Sequence, residues 1–154
     1  MRLMKQWFWL IAVIWGFPQW GHALPCAALK SKKVNWRKGP GSDHPVTWIY
    51  YSPGWPVLIE KKKDHWYCVR DGEGTRGWVQ GTMLSFQPTL LVTQDMTVLY
   101  NGPSTEKRIL AYLKKGVIVR YLKHEGKVWY FVSVLTHKIK GWISAGAVWP
   151  CPPL

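Results

Sequence analysis

Acid is scarce in this chain. Eight Asp and Glu face 21 Lys and Arg across 154 residues, a formal charge of +13. The eight acids are Asp43, Glu60, Asp64, Asp71, Glu73, Asp95, Glu106 and Glu125. Most fall at expected turns, and no pair is set up for acid–base work. Histidine is sparse as well, and the five (His22, His44, His65, His124 and His137) are scattered, with no pair at metal-ligand spacing. No serine elbow and no phosphate loop occurs, and no cofactor motif stands in for them. The reading is therefore non-enzymatic, with no metal and no cofactor. Long apolar runs are also missing, which excludes a multi-span membrane protein. A hydrophobic share of 47% excludes a disordered chain.

The one sustained apolar run stands at the start. Arg2 and Lys5 precede Trp7 to Phe17, Pro18 breaks the run, and Gly21-His22-Ala23 offers a small-x-small cleavage site. That order is the grammar of an export signal over residues 1–23. The run covers 11 residues, against roughly 20 for a membrane span. An uncleaved anchor is the weaker reading. So is lipidation at Cys26, because Pro25 replaces the small residue that a lipoprotein box requires. Cleavage would remove two bases, no acid and four Trp, leaving 19 bases against 8 acids and eight Trp in 131 residues. The expected product is soluble, without an integral span, and periplasmic or secreted.

Export gives the three cysteines meaning, because disulfides persist outside the cytoplasm. Cys26 and Cys151 sit near the two ends of the mature chain and are the candidate pair. Cys68 lies in a strand-like stretch and reads as a packed free thiol. A catalytic Cys68 would need a histidine and an orienting partner, and neither His44 nor His65 stands at a recommending distance in sequence.

The body of the chain repeats itself. Gly39-Pro40 recurs as Gly102-Pro103, and Gly54 with Val57 as Gly116 with Val119. Trp66-Tyr67-x-Val69 recurs as Trp129-Tyr130-x-Val132, and Gly77-Trp78-Val79 as Gly141-Trp142-Ile143. The offset holds at 62 to 64 residues throughout. Each copy reads as short strands parted by turns: Val34 to Arg37, Val46 to Tyr51, Val57 to Glu60, Trp66 to Arg70 and Gly77 to Gln80 in the first. Gly39 to Asp43 is loop, Lys61 to Asp64 a charged turn, and Asp71 to Gly74 a hairpin connection needing positive φ. Ile109 to Leu113 comes nearest to a helical period, yet its counterpart carries β-type residues. The fold class is all-β, with the boundary between copies at Phe86 to Thr89.

These residues carry a family resemblance. Val34-Asn35-Trp36-Arg37-x-Gly39-Pro40-Gly41, then Pro45-Val46, Gly54-x-Pro56-Val57, Trp66-Tyr67-x-Val69-Arg70, Gly77-Trp78-Val79 and Leu84-Ser85, resemble the bacterial SH3 domain family in its tandem, exported form. The resemblance covers 29–85 as a first domain and 91–149 as a divergent second. The second has Thr97-Val98-Leu99-Tyr100 in place of the Asn-x-Arg signature. It implies two small SH3-like β-barrels and binding to cell-wall (peptidoglycan) peptide or another anionic envelope component, usually without catalysis. The other implied role is an adaptor docking an envelope enzyme or secretion component.

Aromatic side chains beside cations suit recognition, since Trp and Tyr offer rigid area with a polar handle. Trp36, Arg37, Tyr50, Tyr51, Trp66 and Arg70 form the candidate groove. Alternation sets Tyr67 and Val69 on one face and Trp66 and Arg70 on the other, which leaves Trp66 open to a groove or a core reading. Trp36 is either a larger core filler or an extra platform. Arg37 either meets a ligand carboxylate through its planar fork or ties the Gly39–Asp43 loop to the barrel. Trp78 reads as structural. The lysine runs create a positive field. Nucleic acid would fit that field, but the export signal directs the chain elsewhere, towards a cell-wall peptide or an envelope protein. Nothing in the residues sets an oligomeric state.

Overall fold

The computed structural model describes residues 25–150. The expected signal segment and Cys151 lie outside them. The described chain forms two antiparallel seven-stranded sheets. The first holds β1 (Cys26–Leu29), β2 (Val34–Arg37), β3 (Val46–Tyr50), β4 (Pro56–Lys63), β5 (Trp66–Arg70), β6 (Arg76–Gln80) and β7 (Leu84–Ser85), with a 3-10 turn at Gly81–Met83. The second holds β8 (Thr89–Val92), β9 (Thr97–Tyr100), β10 (Ile109–Leu113), β11 (Ile118–Glu125), β12 (Trp129–Val134), β13 (Lys140–Ser144) and β14 (Val148–Trp149), with a 3-10 turn at Ala145–Ala147. The orders β3-β2-β6-β5-β4-β1-β7 and β10-β9-β13-β12-β11-β8-β14 are the same topology twice. Among the described residues there is no α-helix, and none long and apolar enough to cross a membrane.

Equivalent irregularities recur too. The register slips between Ile59 and Lys61 in β4 and between Tyr121 and Lys123 in β11. Such bulges bend a strand and raise its twist, which is how a short sheet curls over its own core. The first bulge also corrects a sequence expectation. Lys61 to Lys63 are not a turn; they continue β4 as its exposed end, and only Asp64 and His65 turn. Asp64 takes the positive φ of 51° that this tight connection needs. Gly74, at φ 89°, does the same in the Asp71–Gly74 hairpin. Ile109 to Leu113 is a strand, in line with its β-rich counterpart.

Alternation builds the cores. In β2, Val34 and Trp36 point inward and are buried, while Asn35 faces solvent. They meet Leu29, Val57, Val69, Val79 and Leu84 in the first core; Leu90, Leu99, Val119, Tyr130, Val132 and Ile143 fill the second. β1 carries no strand signal in its sequence. All four of its residues are buried between β4 and β7, so the first sheet begins at Cys26.

The two units touch directly. Thr89 Oγ1 donates to the Gly54 carbonyl at 2.6 Å. Gly54 has φ 82°, and a Cβ there would sit 3.3 Å from Leu135 of the second unit. The Trp149 ring lies against Gly72 of the first.

Candidate functional site

β2 displays Asn35 and Arg37 on its outer face, with Lys33 just ahead of them. Across the sheet, Trp66 of β5 pairs in register with Gln80 of β6. With Ser42 from the β2–β3 loop and Met83 from the 3-10 turn, these side chains line a cavity of about 320 Å³. Its chemistry is two cations, two carboxamides, a hydroxyl, a half-buried indole and a thioether, without a carboxylate. Gln80 also lines a neighbouring hollow of about 510 Å³, with Lys62, Asp64, His65, Tyr67 and Thr82 around it, so that this hollow, unlike the first, includes a carboxylate. Lys62 Nζ stands 5.5 Å from the Tyr67 ring centroid, a cation–π distance. The two hollows adjoin at Gln80, with Trp66 lining the first and Tyr67, its neighbour on β5, lining the second.

Arg37 does two things at once. Its Nη1 donates to the His44 carbonyl at 2.7 Å, tying down the β2–β3 loop, and its side chain still lines the cavity. Trp66 faces the cavity while Val69, on the opposite face of β5, is fully buried.

Four other candidates stand elsewhere. Trp36 is a correction: it is fully buried, so its indole is core and offers no platform. Gly77 makes room for it, since a Cβ there would lie 2.8 Å from Trp36 Cβ. Tyr50 stacks on Trp36, centroids 4.3 Å apart, and its hydroxyl donates to Asp71 Oδ2 at 2.5 Å. Burial, followed by the hydrogen bond to Asp71, pushes the Tyr50 phenol well above its ordinary pKa. Asp71 is buried because it also accepts the backbone N–H groups of Glu73 at 3.0 Å and Thr75 at 2.8 Å. Tyr51 is exposed just beyond β3 and lines neither hollow. Arg70 Nε donates to Glu60 Oε1 at 2.8 Å, and Arg76 Nε to Glu60 Oε2 at 2.9 Å. The Arg76 hydrogen bond, with help from Arg70, holds the Glu60 carboxyl below its usual range. That fork is structural and stands apart from the cavity.

Lys33, Asn35, Ser42, Gln80 and Met83 join the cavity without a motif that singles them out. Asn35 had a signal available, because it shares the outer face of β2 with Arg37. Gln80 had none without the β5–β6 register. Cys68 is partly buried, and burial pushes its thiol pKa up, away from the thiolate that nucleophilic chemistry needs. Of the candidate disulfide pair, Cys26 is buried in β1 and Cys151 lies outside the described residues. Among the described residues no three His, Cys, Asp or Glu gather as metal ligands would.

The second unit builds the same position differently. Tyr100 stands where Arg37 does, each paired with the tryptophan of the Gly-Trp strand, Trp142 or Trp78. Tyr100 packs edge-on against Trp129, centroids 5.6 Å apart at 89°. Val98, Ser144 and Ala147 occupy the places of Asn35, Gln80 and Met83. The guanidinium of Arg37 and both carboxamides are gone.

The bacterial SH3 domain family matches this chain twice, over residues 30–85 and 93–150. The chain belongs to the bacterial SH3 domain family. Its two SH3 units are the two sheets described above. No curated protein matches it. Among solved structures it is similar to NlpC2 from Trichomonas vaginalis, at TM-score 0.38 and 18% identity, covering 83% of this chain and 48% of that one. It is also similar to NlpC1 from the same organism, at TM-score 0.35 and 18% identity, covering 83% and 46%. The tandem SH3 chain thus spans about half the length of each.

Proposed function

We propose that this tandem SH3 protein is exported and acts by binding, without catalysis, and that its first unit grips a carboxylate-bearing extended peptide of the cell wall. The observation that carries the reading is the cavity of Lys33, Asn35, Arg37, Trp66 and Gln80. An extended peptide laid over Trp66 would present its amides to Asn35 and Gln80 and its carboxylates to Lys33 and Arg37. Peptidoglycan stem peptides combine an extended backbone with free carboxylates. The positive surplus of the chain adds an attraction that salt screens over a Debye length of about 8 Å at physiological ionic strength.

The test is co-sedimentation of the protein with purified sacculi at rising salt. Binding at low salt that weakens as salt rises supports the reading. Failure to sediment even at low salt excludes it.

A second reading, an adaptor for an envelope protein, is favoured by β3. This edge strand exposes Val46, Trp48 and Ile49, with Tyr51 beyond it. An unpaired edge with apolar side chains accepts an added strand from another protein. Cross-linking to one specific envelope protein, without sacculus binding, would favour it over the first.

A further inference from the structure

Where the two SH3 units meet, two adjoining hollows of about 250 and 460 Å³ share Pro53 and Leu135 in their walls. Neither unit forms them alone. The first brings Lys30 and Pro53; the second brings Arg120, Lys115, Ile118 and Leu135. Lys30 follows β1, Lys115 sits in the β10–β11 turn and Arg120 lies on β11. Lys30 and Arg120, from different units, thus line the smaller hollow together, and Lys115 lines the larger one beside it.

No carboxylate lines either hollow. Among the described residues the ion pairs are those of Glu60 with Arg70 and Arg76, so these three cations have none. Asp95 accepts the backbone N–H of Lys115 at 3.1 Å and lines neither hollow. Lys30 and Arg120, sharing a hollow with no carboxylate in its lining, raise the local positive potential and favour an anion. The Leu135–Pro53–Ile118 strip adds area that an apolar body would shield from water.

We propose that this junction cleft is a second binding site, distinct from the Trp66 cavity, which takes an anionic amphiphile: a carboxylate or phosphate head on a short apolar body. The head meets Arg120 and Lys30, and the body lies along Leu135 and Pro53. The Gly54–Thr89 contact holds the cleft together by keeping the two units against each other. The site does not depend on the cell-wall reading, because none of its residues lines the Trp66 cavity or the hollow beside it.

The test is a titration of the full chain with decanoate, followed through backbone amide resonances. Saturable shifts are expected at Gly54, Thr89 and Leu135, with acetate and decyltrimethylammonium producing none there. Arg120→Ser should weaken decanoate binding about tenfold, as the loss of one charge-assisted contact. Lys30→Ser provides a second exposed variant that leaves the cores intact. Decyl phosphate binding more tightly than decanoate identifies a phosphate head, and the reverse order a carboxylate head; either supports the site. Shifts confined to Asn35, Trp66 and Gln80, or decanoate affinity unchanged in both variants, would overturn it.

Discussion

Gly77 and Trp36 compete for one space. A methyl on Gly77 would fall 2.8 Å from Trp36 Cβ and 3.0 Å from its Cε3. The clash begins at Cβ, which every residue but glycine carries, so a smaller side chain at position 36 would not relieve it. Gly77→Ala is expected to destabilise the first unit by about 1–3 kcal/mol, and Trp36→Leu should not rescue it. Gly141→Ala should behave alike, since its Cβ would lie 2.7 Å from both Leu99 Cγ and the Tyr100 carbonyl. Gly39→Ala should cost less, because the obstacle there is the His44 ring, which can swing away. Denaturant unfolding of the set checks the ranking, and equal losses at Gly39 and Gly77 would refute it.

Trp66 and Trp129 are equivalent in sequence and unequal in surroundings. Trp66 lines a cationic cavity, whereas Trp129 is met edge-on by Tyr100. Trp66→Ala is expected to abolish sacculus co-sedimentation while changing the melting temperature little. Trp129→Ala should leave co-sedimentation intact. Arg37→Ser should impair both binding and stability, because the same guanidinium holds the His44 carbonyl. If the two tryptophan variants sedimented equally, the assignment of binding to the first unit would fail.

Alkaline pH should find Tyr50. Its phenol pKa is raised above the unfolded value of 10.0 by burial and by Asp71. A raised pKa gives stability that is whole below the unfolded value and is lost as pH climbs towards the folded one. The protein should therefore lose stability above about pH 10, and Tyr50→Phe should lose less over the same range. Urea midpoints of the two proteins between pH 9 and 11.5 measure the difference.

Acid should find Glu60. Its pKa is lowered from 4.5, chiefly by the hydrogen bond from Arg76 and also by Arg70. A lowered carboxyl pKa gives stability that is present above the unfolded value and fades as pH falls through the folded one. Glu60→Gln should be less stable than the parent at neutral pH, and the gap should narrow below pH 4.5. A gap that stayed constant down to pH 2 would mean that the Glu60 charge contributes nothing.

The strand pattern was largely legible because glycine, proline and aromatic residues punctuate each copy. It failed where a cue had two meanings. Lys61 to Lys63 look like a solvated turn, but the bulge after Ile59 carries them on as strand. Cys26–Leu29 is small and apolar, and so close to the apolar opening run nothing in the sequence marks it as the buried strand it is. The candidate site was harder to foresee. Trp36 and Trp66 both offer a large indole, and only packing tells which is enclosed. Asn35 and Gln80 lie 45 positions apart in sequence, and the strand register that joins them is a property of the whole sheet. The junction cleft had no sequence signal, because its lysines and arginine come from segments that meet only once both units are folded.

Three residues, Phe86 to Pro88, connect β7 to β8, and the very next side chain is already bonded to Gly54. So brief a tether leaves little slack for a protease to grasp. With the Thr89–Gly54 bond beside it, the two halves are expected to open together. Calorimetry should record one cooperative melt, in which the ancestry of the doubled barrel leaves no trace.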